Sequence, residues 1–128
     1  MGIDLSLTRT AVATLTPRGS RVNSHPTFGR KEATLTERWK RLDEIAGWVL
    51  GQVNLSENFV VIESPAHGQA TGSHHDRSGL WWMIVNQLAV LRVPVVEVAP
   101  TSLKKYATGK GNAGKDEVIL RSARRYGD

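Results

Sequence analysis

The sequence predicts an α/β fold in which a mixed five-stranded sheet is flanked by helices. Three observations predict it. The chain opens on two short β-branched runs that read as a hairpin, a helical apolar stripe begins at Thr34, and the apolar run 59–63 is followed by a second helical pattern and another short strand. Strands first, then helices alternating with strands, is the order of an α/β layer structure. At 128 residues the chain has the size of one domain over positions 1–128, large enough to bury a core without staples.

Residues 2–7 and 10–16, separated by Thr8-Arg9, form the hairpin. Residues 20–28 read as a third strand, confined to an edge or to its own end by Pro26. From Thr34, the residues Leu35, Trp39, Leu42, Ala46, Val49 and Val53 recur at steps of four and three, as on an amphipathic helix. Thr34 followed by Glu37 is a capping-box pattern at its start. The opposite face, with Glu37, Arg38, Lys40, Arg41, Asp43 and Glu44, reads as solvated. Residues 59–63 suit a central strand covered on both sides, and they end on Glu63. The polar stretch 64–78 reads as a loop, and residues 79–92 as a helix apolar almost all round. Residues 94–98 make a fifth strand. Pro100 opens a short helix to Tyr106, residues 109–114 form a Gly-rich loop, and residues 115–126 close as a helix.

Composition narrows the function classes. Seventeen Lys plus Arg against twelve Asp plus Glu leave a net charge of +5, which favours a polyanionic partner. Without cysteine, a disulfide framework and a thiolate metal site are excluded, in keeping with a cytoplasmic protein. The N-terminus enters a strand directly, with no secretory leader pattern. The longest apolar stretch is broken by Asn86-Gln87 and falls short of the roughly 20 residues that span a bilayer, so no membrane association is expected.

Two carboxylates stand out. Asp4 occupies a strand position between Ile3 and Leu5 where burial is expected, and Glu63 ends the most apolar strand. A carboxylate leaving water must be paired, hydrogen-bonded, metal-bound or protonated. Either one alone is equally well explained by a turn cap or an ion pair. Together, on strands that can be neighbours, they favour a hard cation such as Mg²⁺, which takes oxygen ligands.

Gly2-Ile3-Asp4-Leu5-Ser6-Leu7-Thr8 with Thr10-Ala11-Val12-Ala13 resembles the opening hairpin of RuvC-like Holliday junction resolvases, members of the ribonuclease-H-like superfamily. Val61-Ile62-Glu63 with Ser64-Pro65-Ala66-His67-Gly68 resembles their second acidic strand. Val98-Ala99-Pro100-Thr101-Ser102-Leu103-Lys104-Lys105, the Gly109-Lys110-Gly111-Asn112-Ala113-Gly114-Lys115 loop and Val118 resemble the family's proline-started helix and its Gly- and Lys-bearing stretch. The resemblance runs along the whole chain in the family's order. It implies a ribonuclease-H-like fold and a homodimer that grips four-way DNA junctions and nicks opposite strands in DNA recombination and repair. It also implies Mg²⁺ or Mn²⁺ held by Asp4 and Glu63 as metal and catalytic residues.

The sequence departs from the family at its end. The family places one or two further acids on a later helix, and this sequence stops at Tyr126-Gly127-Asp128 before such a helix. A C-terminally truncated product is the leading expectation, ahead of a natural remnant or of substitution by Asp128 and the Asp116-Glu117 pair, since Asp116 and Glu117 suit the first turn of a helix, where they favour its macrodipole.

Lys104, Lys105, Lys110 and Lys115 make the C-terminal third basic. Alone they read as a solvated face, and beside an acidic metal site as contacts to DNA phosphates. His67, with His74 and His75, falls in the loop after Glu63, and His67 is taken as a DNA contact. Trp81 and Trp82 suit a core, and the second side of the 79–92 helix suits a twin subunit. The leading expectation is a metal-dependent junction endonuclease. The alternatives are a catalytically impaired junction-binding module and a nucleotide-binding fragment of the actin and sugar-kinase kind, which shares the Gly-Ile-Asp strand.

Overall fold

The computed structural model describes residues 1–55, 59–65 and 73–100. The chain divides into two compact units, Met1–Glu97 and Val98–Asp128, and the description concerns the first, to which β5 adds one residue. Its elements in chain order are β1 (Gly2–Asp4), β2 (Arg9–Thr16), β3 (Gly19–Pro26), α1 (Leu35–Gln52), β4 (Val60–Glu63), α2 (His74–Val90) and β5 (Val95–Val98). The strands form a single mixed sheet in the order β3-β2-β1-β4-β5.

The predicted hairpin is present, with Ile3 opposite Val12 and Asp4 opposite Ala11. β3 runs antiparallel to β2, from Arg9 opposite Pro26 to Thr16 opposite Gly19. It borders the sheet, and Pro26 closes its end, where a missing N–H costs no ladder bond. The reversal at its start uses Gly19 at φ 126°, a conformation that L side chains rarely adopt. β4 lies parallel to β1, with Gly2 beside Val61 and Ile3 beside Ile62.

Ile3, Val12, Val60 and Ile62 send side chains to one face of the sheet. There they meet Ile45, Ala46 and Val49 of α1 and Leu80, Trp81, Ile84 and Leu88 of α2 in a single buried cluster. Because strand residues alternate between faces, this packing fixes which side chains at the sheet's carboxyl ends stand away from the helices.

α1 begins where the capping box predicts: Thr34 Oγ1 accepts from the Glu37 N–H at 3.2 Å, and Glu37 Oε2 accepts from the Thr34 N–H at 2.6 Å. The predicted apolar stripe is corrected in its first half. Leu35 and Trp39 are 76% and 54% exposed, and Ile45 is fully buried instead. Leu35 and Trp39 face the first turns of α2, where with Trp82 they line an open groove of about 450 Å³. The face read as solvated is likewise only partly so, since Arg38 and Arg41 are half-buried.

α2 starts five residues before the predicted position, so His74, His75 and Asp76 belong to its first turn and not to a loop. These polar residues carry no apolar periodicity that would reveal a helix. What favours the turn is Asp76 near the positive end of the helix dipole. Leu80, Trp81, Ile84 and Leu88 are buried, whereas Trp82 and Val90 are exposed. The helix ends in a Schellman arrangement: the Arg92 N–H donates to the Ala89 carbonyl at 3.0 Å and the Val93 N–H to the Leu88 carbonyl at 2.9 Å, with Arg92 at φ 58°. Among the described residues, no helix is long and apolar enough to cross a membrane.

Candidate functional site

The parallel register of β1 and β4 decides the geometry of the two carboxylates. Ile3 sits beside Ile62, and the next residue on each strand is Asp4 and Glu63. Neighbouring strands lie about 4.8 Å apart, so the two acids leave adjacent strand ends. Since Ile3 and Ile62 face the helices, alternation sends Asp4 and Glu63 to the other face. The expectation that both are buried is therefore corrected: Asp4 is exposed and Glu63 half-buried. Two like charges side by side on neighbouring strands repel each other, and a cation between them removes the repulsion.

The turn that follows Asp4 is held from several directions. The Thr10 hydroxyl, fully buried, donates to the Ser6 carbonyl at 2.8 Å and accepts from the Ser6 N–H at 3.2 Å. Thr27, just past β3, donates its hydroxyl to the Leu7 carbonyl at 2.5 Å and its N–H to the Thr8 carbonyl at 3.0 Å. Arg41 reaches down from α1, with Nη2 donating to the Leu7 carbonyl and Nε to Thr27 Oγ1 at 3.1 Å. A backbone clamped in this way presents Asp4 from a fixed position, as a metal ligand requires. Arg41 and Thr27 escape sequence reasoning, because a charged helix position and an isolated threonine carry no signal of the carbonyl they share.

Beyond β4, the buried Ser64 donates its hydroxyl to Glu97 Oε1 on β5 at 2.7 Å. Glu97 also went unforeseen, since its strand reads as an ordinary short apolar run. Among the described residues, no three His, Asp or Glu side chains gather into a metal-binding group. Among the described residues, the structure brings the predicted site residues Asp4 and Glu63 to adjacent strand ends. His67, Lys104, Lys105, Lys110 and Lys115 lie outside the described residues. Trp81 is buried in the core, and Trp82 packs edge-on against it at 4.7 Å between ring centroids while remaining 64% exposed.

Beside the clamped turn, a cleft of about 700 Å³ opens between the β3–α1 connection and the two helices. Two ion pairs line it. Arg30 binds Glu37 through Nε at 3.1 Å and Nη2 at 2.7 Å, and Arg38 binds Asp76 through Nε at 2.9 Å and also through Nη2. The Arg30 guanidinium, helped by the Thr34 N–H, lowers the Glu37 carboxyl to about 2. The Arg38 hydrogen bond likewise holds Asp76 below its usual value, against the opposing effect of burial.

No protein-family model matches the chain. No curated protein matches it in sequence either. Solved structures do match in fold. One is RuvC of Thermus thermophilus, at a TM-score of 0.70 and 20% identity, over 98% of this chain and 78% of that one. Another is T. thermophilus RuvC in complex with a Holliday junction substrate, at a TM-score of 0.66 and 20% identity, over 99% of this chain and 78% of that one. The mixed five-stranded sheet with its two helices is therefore the ribonuclease-H-like fold of RuvC.

Proposed function

We propose that this chain is a metal-dependent, structure-selective endonuclease that resolves four-way DNA junctions by phosphodiester hydrolysis. The observation that carries the reading is the placement of Asp4 and Glu63 at adjacent strand ends of a RuvC fold. A solved structure of that fold holds a Holliday junction substrate, and the net charge of +5 suits a polyanion.

Two carboxylates on neighbouring strands fit Mg²⁺ or Mn²⁺, which is commonly held by one or two protein carboxylates with water and substrate phosphate completing the shell. Asp4 and Glu63 would be its ligands. When bound, such ions activate a water and stabilise the leaving oxygen in phosphodiester cleavage. The chain's own part is positioning. The clamp of Thr10, Thr27 and Arg41 on the turn after Asp4 fixes one ligand, and the register of β4 sets the other beside it. Lys104, Lys105, Lys110 and Lys115, with His67, contact the DNA backbone in this reading. Residues 1–128 act as one nuclease domain, and two copies pair through α2, the helix expected around 79–92, where Trp82 and Val90 stand exposed.

The test is incubation with a labelled four-way junction and a matching linear duplex in Mg²⁺ or Mn²⁺, beside Asp4→Asn. Paired nicks on the junction alone, absent from Asp4→Asn, are expected. Selective junction binding with no nicking in either metal would instead favour a junction-binding module with an incomplete carboxylate set. Absence of both binding and nicking would sink the proposal.

A further inference from the structure

Thr27 is buried and bonded on three sides, and the residue after it, Phe28, is 91% exposed. A single exposed aromatic needs no explanation by itself. Its surroundings give this one significance. Phe28 stands at the rim of the 700 Å³ cleft, on a backbone fixed at Thr27, and Gly29 lies so close to the Arg41 guanidinium that any side chain there would collide with it. The cleft carries four cations, Arg30, Lys31, Arg38 and Arg41, against the two carboxylates Glu37 and Asp76. Lys31 is exposed and has no ion-pair partner among the described residues. An aromatic face on a rigid root, set among excess positive charge, suits a single nucleic-acid strand, whose bases stack while its phosphates meet the cations.

The position of the cleft sharpens the assignment. Leu7, which lines it, follows Asp4 by three residues, a chain reach of at most about 11 Å. An unpaired strand covers at least the roughly 3.4 Å per nucleotide of a stacked one, so that reach corresponds to about three nucleotides or fewer. We infer that the cleft takes an unpaired DNA segment within a few nucleotides of the scissile phosphate, with Phe28 stacked on a base and Lys31 on the adjoining phosphate. The inference rests on the endonuclease reading for its link to a scissile phosphate, and on the cleft itself for strand binding.

The experiment measures anisotropy with the full chain, its Phe28→Ala, Phe28→Trp and Lys31→Ala variants, and three probes: a four-way junction with 2-aminopurine at the branch, an oligo-dT strand and a linear duplex. Phe28→Ala should weaken binding to the junction and to oligo-dT about tenfold and remove the 2-aminopurine fluorescence change. Duplex binding should stay as it is, and Phe28→Trp should restore the rest. Lys31→Ala should lower the salt slope by about one. Junction binding unaffected by Phe28→Ala overturns the cleft assignment and leaves the endonuclease reading standing. Oligo-dT binding that needs Phe28, without any preference for the junction, upholds the strand cleft and removes the junction reading. Failure to bind any DNA overturns both. If Phe28→Ala alters only the oligomeric state seen by light scattering, the face is a protein contact and the inference falls.

Discussion

Arg38 of α1 grips Asp76 in the first turn of α2 through both carboxylate oxygens. This fork joins the two helices that share the core, at the end nearest the cleft. Asp76→Asn should lower the melting temperature by a few degrees, and Arg38→Ala combined with it should cost less than the two changes summed, because both remove one interaction. The Asp76 carboxyl is held below its usual value chiefly by the Arg38 hydrogen bond. Its contribution is therefore complete above the ordinary carboxylate range and lost as pH falls through the depressed value. Thermal melts across acid pH check this, and Asp76→Asn should flatten the fall.

The capping box at α1 makes a second prediction. Thr34→Ala removes the acceptor for the Glu37 N–H and should cost about 1 kcal/mol, read by chemical denaturation. Glu37 is lowered from 4.5 to about 2, so its stabilising effect is present above pH 4.5 and disappears as pH drops toward 2. Glu37→Gln should remove that part of the acid dependence.

The sequence made the strands, the capping box and the Asp4–Glu63 pair legible, because each leaves a local mark. A nearly continuous β-branched apolar run marks Val60–Glu63, a Thr three residues before a Glu marks the start of α1, and an acid among aliphatics marks Asp4. What stayed hidden depends on distant partners. The first turn of α2 shows no apolar period and is recognised only once Arg38 meets Asp76. The exposure of Leu35 and Trp39 follows from where α2 lies, which no helical spacing records. Arg41 reads as one more surface cation until the turn after Asp4 is folded beneath it.

The C-terminus of α2 offers a stabilising change. Arg92 adopts φ 58° in the position where glycine is usual. Arg92→Gly relieves the left-handed strain of a residue bearing a Cβ, partly offset by a more flexible unfolded chain. A gain of about 0.5–1 kcal/mol in equilibrium unfolding is expected.

Metal binding has a readout apart from cleavage. Magnesium at a hundredfold excess over its Kd should raise stability by about 2.7 kcal/mol. Asp4→Asn and Glu63→Gln should each lose most of that response. An undiminished thermal shift in both variants would place the ion elsewhere.

Pairing of two copies through α2 can be tested at Trp82, which is 64% exposed. Trp82→Glu should convert a dimer into a monomer in light scattering without lowering helix content. A wild-type chain that is monomeric at all concentrations would exclude this interface.

β3 forms the border of the sheet, and every residue in it except His25 is exposed. An open border of this kind is a template on which a foreign strand can grow, the first step toward fibrils. Arg21 in its middle and Pro26 at its end obstruct such growth, one by charge and the other by a missing donor. The price of these blocking residues is a strand with little β-propensity of its own, held in place through β2 and through the stacking of His25 on Trp48 at 5.3 Å. Resistance to edge-to-edge pairing is thus placed in the strand that contributes least to the buried cluster.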